Sequence, residues 1–394
     1  MTPELPASPT IMQPDRFSAP LPPRFAPLRR IAWVTPDYPP DRGGVSDHSS
    51  AMVGVLREAG HEVLVCPRPH EHGFAALDAE LSEFRPELLV VAYVPLGYAP
   101  HSGGIAPAFT RWSIALGRRY GCRTVLMAHE ASLPLVDLWQ HRQYKLGALA
   151  AVQVAQFSII LASFDVVLFS NLGTHRKWAR YLSPLATRFH TLRICSNIPF
   201  RSSLDPAAEL RASGESVPAT TILFFGTGHQ SVLFDYVEAA FRALLAIDPN
   251  AVLVVIGMTA EKLAQLSPSL ANLSGRVRAL GYVAAPELSL WLQVAVLVLA
   301  PLIEGVSARK GTVMAALQHG RTVITTLGVH TLEDIAWPEI CVLSPLDRAA
   351  FAAKSVAAFR DPALRDKIGR AAIAEYEAHA SAQVTARRIL NYAN

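Results

Sequence analysis

The 394-residue chain is 51% hydrophobic and 17% charged with a formal net charge of +4, which excludes a disordered protein and implies two domains, since single hydrophobic cores stop growing well below this length. Its four cysteines, Cys66, Cys122, Cys195 and Cys341, lie far apart without metal-ligand spacing, so neither a disulfide framework nor a structural metal is expected. The amino terminus carries acidic residues and prolines where a secretory signal would place a basic stretch and an apolar run, and a cytoplasmic location is expected.

Residues 1–28 are punctuated by eight prolines from Pro3 to Pro27, which deny the segment regular hydrogen bonding and predict a flexible tail. Ile31–Val34 then reads as a strand, Pro36–Gly44 as a turn-rich loop, Ser49–Ala59 as a helix ended by Gly60, and Glu62–Cys66 as a second strand. Strands are predicted at Leu88–Tyr93, Thr124–Ala128 and Val166–Ser170, with helices between them. Leu146–Leu161 is interrupted by Gln153, Gln156 and Ser158 and is short for a bilayer span of roughly 20 apolar residues, so a buried helix is expected.

Residues 205–218 lose the apolar runs and read as a linker between an N-terminal domain, 29–204, and a C-terminal domain, 219–375. Alternation resumes with a strand at Thr221–Phe225, a helix over Asp235–Ala246, and strands at Ala251–Ile256, Val277–Leu280, Val294–Ala300, Thr322–Thr325 and Ile340–Leu343. Residues 376–394 read as a C-terminal helix available to pack back on the first domain. The fold class is α/β: two doubly wound, Rossmann-like parallel sheets facing a cleft, with ligands outside the carboxyl ends of the strands.

Residues 101–200 hold 11 Lys and Arg against 3 Asp and Glu, a local excess of 11 − 3 = +8. Clusters at Arg118, Arg119 and Arg123, at Arg142 and Lys145, and at Arg176, Lys177 and Arg180 suit an anionic membrane surface or an acidic acceptor equally. Interleaved aromatic platforms and nucleic-acid motifs are missing, which argues against a nucleic-acid partner.

Gly43 and Gly44 lie in the loop after the first strand, in IAWVTPDYPPDRGGVSDH (Ile31–His48), where a backbone without Cβ atoms lets a phosphate or sugar approach. With Gly60, His61, Glu62 and Val63, this opening resembles family-four glycosyltransferases of the GT-B type. VLMAHE, Val125–Glu130, resembles that family's strand ending in a histidine that faces the donor sugar, which implies this role for His129, with Glu130 on the acceptor side. Asn197, Ile198 and Pro199 resemble a reduced interdomain stretch, and Phe224–Gly228 resembles the first C-terminal glycine loop, implying donor contacts at Gly226, Thr227 and Gly228. Ser231 and Val232 stand where relatives often carry Lys-Gly.

PLIEGVSARKGTVMAALQHG, Pro301–Gly320, resembles the donor loop. The resemblance implies that Glu304 bonds sugar hydroxyls, that the backbone of Gly305, Val306 and Ser307 lies against sugar and phosphates, and that the following helix receives the diphosphate. The second glutamate of relatives, which binds ribose, is replaced by Thr312 on counting from Glu304 or by Ala315 on aligning Gly320. Arg309 and Lys310 oppose the helix dipole and call for an anion, and their charge can replace the missing lysine. His319 near the helix end needs no catalytic role.

The implied reaction moves a hexose from a nucleotide diphosphate donor to a glycan or lipid-linked acceptor with retention. His129 and Glu304 orient the sugar while Arg309 and Lys310 stabilise the leaving group; no cofactor or essential metal is expected. Asp47, Tyr93 and Tyr98 fall on the acceptor side, core packing being the other explanation for the tyrosines. An inverting reaction would draw a base from Asp47, His48 or Glu130. Two alternatives stand beside the transferase: an inactive GT-B-shaped glycan or partner binder, and a nucleotide-sugar epimerase.

Overall fold

Short, largely apolar runs, with their few polar side chains mostly at the strand ends, assemble into two parallel sheets covered on both faces. The computed structural model describes residues 29–41, 43–131, 144–273, 275–331 and 335–392; the expected proline-rich tail lies outside them. The first sheet comprises β1 (Arg30–Thr35), β2 (Glu62–Pro67), β3 (Leu88–Tyr93), β4 (Arg123–Ala128), β5 (Val166–Phe169) and β6 (Phe189–Thr191), in the order β2-β1-β3-β4-β5-β6. The second comprises β7 (Thr221–Phe225), β8 (Val252–Ile256), β9 (Val277–Gly281), β10 (Ala295–Ala300), β11 (Val323–Thr326) and β12 (Val342–Ser344), in the order β12-β11-β10-β7-β8-β9.

All pairings within both sheets are parallel. The order reverses between β1 and β3 in the first sheet and between β7 and β10 in the second. At these switch points the loops leaving neighbouring strands part in opposite directions and leave a crevice at the carboxyl edge. The connections there are residues 36–41 with Gly43 and residues 94–99, which include the short helix Pro95–Tyr98, in one half, and Gly226–Leu233 and Pro301–Lys310 in the other. The topology therefore selects the glycine-rich segments.

One face of the first sheet carries helices Phe74–Phe84, Pro107–Arg119, Tyr144–Ser163 and Leu172–Tyr181, with Leu81, Phe109, Phe157 and Trp178 buried against it. The other face carries Gly44–Glu58 and the last helix, Ala382–Tyr392, whose Ala386, Ile389 and Leu390 pack with Trp33, Met52 and Leu56. Each such fully buried aliphatic side chain contributes about 1.5–3 kcal/mol over leaving it exposed.

The expected linker differs from its reading. Within 205–218, Pro206–Ala212 is a helix whose Asp205 side chain accepts from the Ala208 N–H, and its Leu210 is fully buried in the second domain's core. The chain instead passes between the halves near Cys195–Phe200, where the Ser196 N–H donates to the Tyr376 hydroxyl at 3.0 Å. Edge strand β6 is a further addition: three residues are too few to register as a periodic run. Among the described residues no helix is long and apolar enough to cross a membrane.

Candidate functional site

In the second domain the loops leaving β7 and β10 are knitted together. The Leu233 N–H donates to Pro301 O at 3.1 Å and the Ile303 N–H to Ser231 O at 2.9 Å. A Cβ on Gly226 would lie 3.8 Å from Thr312 Cγ2, so the first glycine loop borders the start of the helix Gly311–Gln318. Ala315 is fully buried while Thr312 is half-buried. Of the two positions where sequence places the ribose-binding residue, Thr312 alone keeps access to a ligand. Thr227 is exposed and Gly228 half-buried beside it.

The turn at Gly305 (φ 81°) presses against Gly328 so closely that an added Cβ would collide with the Gly328 backbone nitrogen. The Gly305 N–H donates to Leu302 O at 3.0 Å, the Val306 N–H to Thr326 O at 3.1 Å, and the His330 N–H to Glu304 O at 2.8 Å. This corrects the expectation for Gly305 and Val306: their amides hold the loop itself, and the Val306 side chain is fully buried. Ser307 differs from both. Its hydroxyl is buried without a hydrogen-bond partner among the described residues.

The helix Gly311–Gln318 begins at Lys310 with no side-chain cap. Its ladder opens with the Met314 N–H donating to Lys310 O, so the amides of Gly311, Thr312 and Val313 precede the helical bonding and concentrate positive potential. The Lys310 ammonium lies 3.7 Å from Glu304 Oε2 and 3.4 Å from Ser231 Oγ. Burial pulls its pKa below the usual lysine value, partly offset by Glu304. Glu304 Oε2 is itself buried without a hydrogen bond, and half-buried Arg309 has no ion pair among the described residues. The lysine thus reaches the very serine that stands at the missing-lysine position.

In the first domain a Cβ on Gly43 or Gly44 would meet no described residue within 4 Å beyond its chain neighbours and its own helix. These glycines open the helix Gly44–Glu58, which carries Asp47 and His48 in its first turns. His48 packs edge-on against His129, ring centroids 5.1 Å apart, and both nitrogens of His48 and Nε2 of His129 lack partners among the described residues. Burial drives both imidazoles toward the neutral form; His129 falls to about 4 and His48 goes well below its usual value. Glu130, next to His129, is exposed.

Tyr93 and Tyr98 require correction. They stack with Phe109 and Phe157 in the core, the Tyr98 hydroxyl donates to Ala92 O at 2.8 Å, and the Tyr93 hydroxyl accepts from Gln156 at 3.5 Å. Burial raises both phenol pKa values. Their rings complete the core under the first switch point and leave nothing to offer an acceptor. Asp47 is occupied as well: it accepts from Asn197 Nδ2 at 2.8 Å, which fastens the glycine-led helix to the interdomain stretch.

Three neighbourhoods were not singled out from sequence. His330 joins Ser307, Ala308, Ser170, Thr191 and Arg193 around a narrow crevice between the halves, and the Ser170 hydroxyl donates to His129 O at 3.1 Å. Burial and the nearby Arg309 cation lower the His330 pKa. Ser231 contacts Lys310. Asp37 lines a hollow of about 340 Å3 with His70, Glu71, Val45, Val94 and Leu96 at the first switch point. Burial, reinforced by Asp41, raises its carboxyl pKa.

Residues 219–361 match the family model described as glycosyl transferases group 1. Among solved structures, sucrose-phosphate synthase from Thermosynechococcus elongatus is similar with a TM-score of 0.67 at 16% identity, covering 92% of this chain and 98% of that one. WaaG, a glycosyltransferase involved in lipopolysaccharide biosynthesis, gives 0.64 at 14% identity, covering 91% and 98%. Anabaena HepE in complex with UDP and glucose gives 0.61 at 12% identity, covering 92% and 98%. No curated protein sequence matches the chain. The two six-stranded Rossmann-like halves have the GT-B architecture, and the similarity to group 1 glycosyl transferases lies in the second half.

Proposed function

We propose that the chain transfers a sugar from a nucleotide diphosphate donor, bound at the β7–β10 switch point, to a glycan or lipid-linked acceptor approaching from the first domain. The reading rests above all on three buried polar atoms that have no hydrogen-bond partner among the described residues: His129 Nε2, Ser307 Oγ and Glu304 Oε2, the last with the Lys310 ammonium 3.7 Å away. Burying such groups costs free energy unless something satisfies them, and sugar hydroxyls supply donors and acceptors in one ligand. Ser170 connects two of the three: its hydroxyl bonds to His129 O and it shares a crevice with Ser307.

The diphosphate is assigned to the Gly311, Thr312 and Val313 amides, with Arg309 and Lys310 beside them. Charge that develops on the leaving diphosphate is then met by preorganised donors and two cations in a half-buried setting, where each counts for more than in water. Thr312 takes the ribose side. Burial makes the His48 and His129 imidazoles weak bases and Asp47 accepts from Asn197, while exposed Glu130 stays open as the base of an inverting transfer. The reading favours retaining transfer of a hexose, in which the leaving diphosphate accepts the proton and no side-chain base is needed. An anionic membrane surface, where a lipid-linked acceptor would reside, completes the proposed set of partners.

Calorimetric titration with a panel of nucleoside diphosphates, including UDP, tests the reading without knowledge of the acceptor. One nucleotide should bind, and Lys310→Ala or Arg309→Ala should weaken it about tenfold or more. Folded protein that binds no nucleotide would overturn the reading in favour of the inactive GT-B-shaped binder. Donor consumption without any acceptor, giving an isomeric nucleotide sugar, would favour the epimerase.

A further inference from the structure

The helix Tyr144–Ser163 is apolar on its outer face as well as on the inner one, where Phe157, Ile160 and Leu161 are fully buried. Its two glutamines point inward: Gln153 donates to Gly103 O at 2.6 Å, and Gln156 donates to Gly104 O and accepts from the Ala106 N–H. Its outward positions are Ala148, Ala151, Val152, Ala155, Ile159 and Ala162, all exposed and none polar. At 100° per residue these six fall within one arc about 100° wide. A surface helix ordinarily turns charged residues to water across such an arc.

The two neighbouring helices extend this face and supply its charge. Helix Pro107–Arg119 contributes exposed Ile114 (56%) and Arg111, and helix Leu172–Tyr181 contributes Arg176, Lys177, Arg180 and Tyr181 (60%). Phe157 and Trp178 stack edge-on, centroids 4.9 Å apart, and lock the third helix beside the second. None of the three helices contains an Asp or Glu. The result is an apolar strip bordered on both sides by cations.

We propose that this three-helix face docks on an anionic lipid bilayer, with Val152, Ile159 and Ile114 entering the headgroup boundary and Arg111, Arg176, Lys177 and Arg180 pairing with lipid phosphates. This deepens the membrane-surface part of the reading above and does not depend on the donor chemistry. Apolar burial and attraction to anionic headgroups act together on such a surface. A second copy fits worse, because an isologous contact would set the cationic borders against their own kind.

The test is flotation of the full chain with vesicles of phosphatidylcholine alone and of phosphatidylcholine mixed with phosphatidylglycerol. Binding is expected to the mixed vesicles, to weaken as salt screens the cations, and to fall about tenfold or more in Val152→Glu/Ile159→Glu and in Arg176→Gln/Lys177→Gln. All four positions are exposed, and nucleotide titration and thermal melting of the same variants separate loss of docking from loss of the fold or of the donor site. Wild-type protein that ignores the mixed vesicles, or binding untouched by both variants, overturns the proposal. A concentration-dependent dimer seen by light scattering and abolished by Val152→Glu/Ile159→Glu would reassign the face to a second copy.

Discussion

The two switch points use glycine for opposite purposes. At the first, a Cβ added to Gly43 or Gly44 would meet no described residue within 4 Å beyond its chain neighbours and its own helix; at the second, Gly305 and Gly328 press together until an added Cβ would fall within 2.3 to 2.5 Å of backbone. One loop therefore keeps its glycines open to a visitor, and the other uses them to fix its own shape and aim Glu304 and Lys310. A glycine pair in a sequence does not say which use applies.

Substitution separates the two uses. Gly305→Ala should cost about 2–4 kcal/mol, because the positive φ and the collision with Gly328 act together, and nucleotide binding should fall with the melting temperature. Gly44→Ala should leave stability within about 0.5 kcal/mol while slowing sugar transfer. Equal melting temperatures for the two variants would erase the distinction.

Acid sharpens the comparison, because the helix that Gly44 opens brings His48 against His129, with both His48 nitrogens and His129 Nε2 lacking partners among the described residues, while the crowded half holds His319 between Ser289 Oγ and Ala315 O, 2.7 Å from each. The folded pKa of His129 is lowered to about 4 from 6.5, so its contribution to stability is complete above about 6.5 and is lost as pH falls toward 4. The loss through this one residue is about 3 kcal/mol at most. Denaturant melts across that window should show the decline, and His129→Asn should flatten part of it. His319 is lowered to about 4 by burial as well and should account for a second part.

The smallest expected effect concerns the tie between the halves. Asn197→Ala removes the bond to Asp47 and should cost about 1 kcal/mol, detectable as a lower denaturation midpoint. If the midpoint holds, the glycine-led helix is placed by its own domain alone.

Most strands were legible because buried parallel strands leave uninterrupted apolar runs: Leu88–Tyr93 and Thr221–Phe225 fall where the pattern puts them. Glu304 was singled out by the resemblance of Pro301–Gly320 to a donor loop, and Arg309 and Lys310 by their cations at the start of the helix that follows; the structure brings Lys310 within 3.7 Å of Glu304. What sequence cannot supply is distance across the fold. Tyr93 and Tyr98 look like site residues until Phe109 and Phe157 arrive from two other helices. Asp47 looks free until Asn197, 150 positions later, bonds to it. The contact between Lys310 and Ser231 joins residues 79 positions apart. Exposure of the Val152 and Ile159 face is hidden for the same reason, since apolar side chains in a helix read as core.

The last helix carries a consequence for biosynthesis. Ala386, Ile389 and Leu390 close the sheet face that includes Trp33 and Met52, so the first domain emerges from the ribosome with part of its hydrophobic floor bare and stays so until residues 382–392 have followed. The halves are thus not made in independent succession: the second must be translated before the first can seal. A nascent chain stalled ahead of residue 382 should draw holdase chaperones to the first sheet's domain, and emergence of the helix Ala382–Tyr392 should dismiss them.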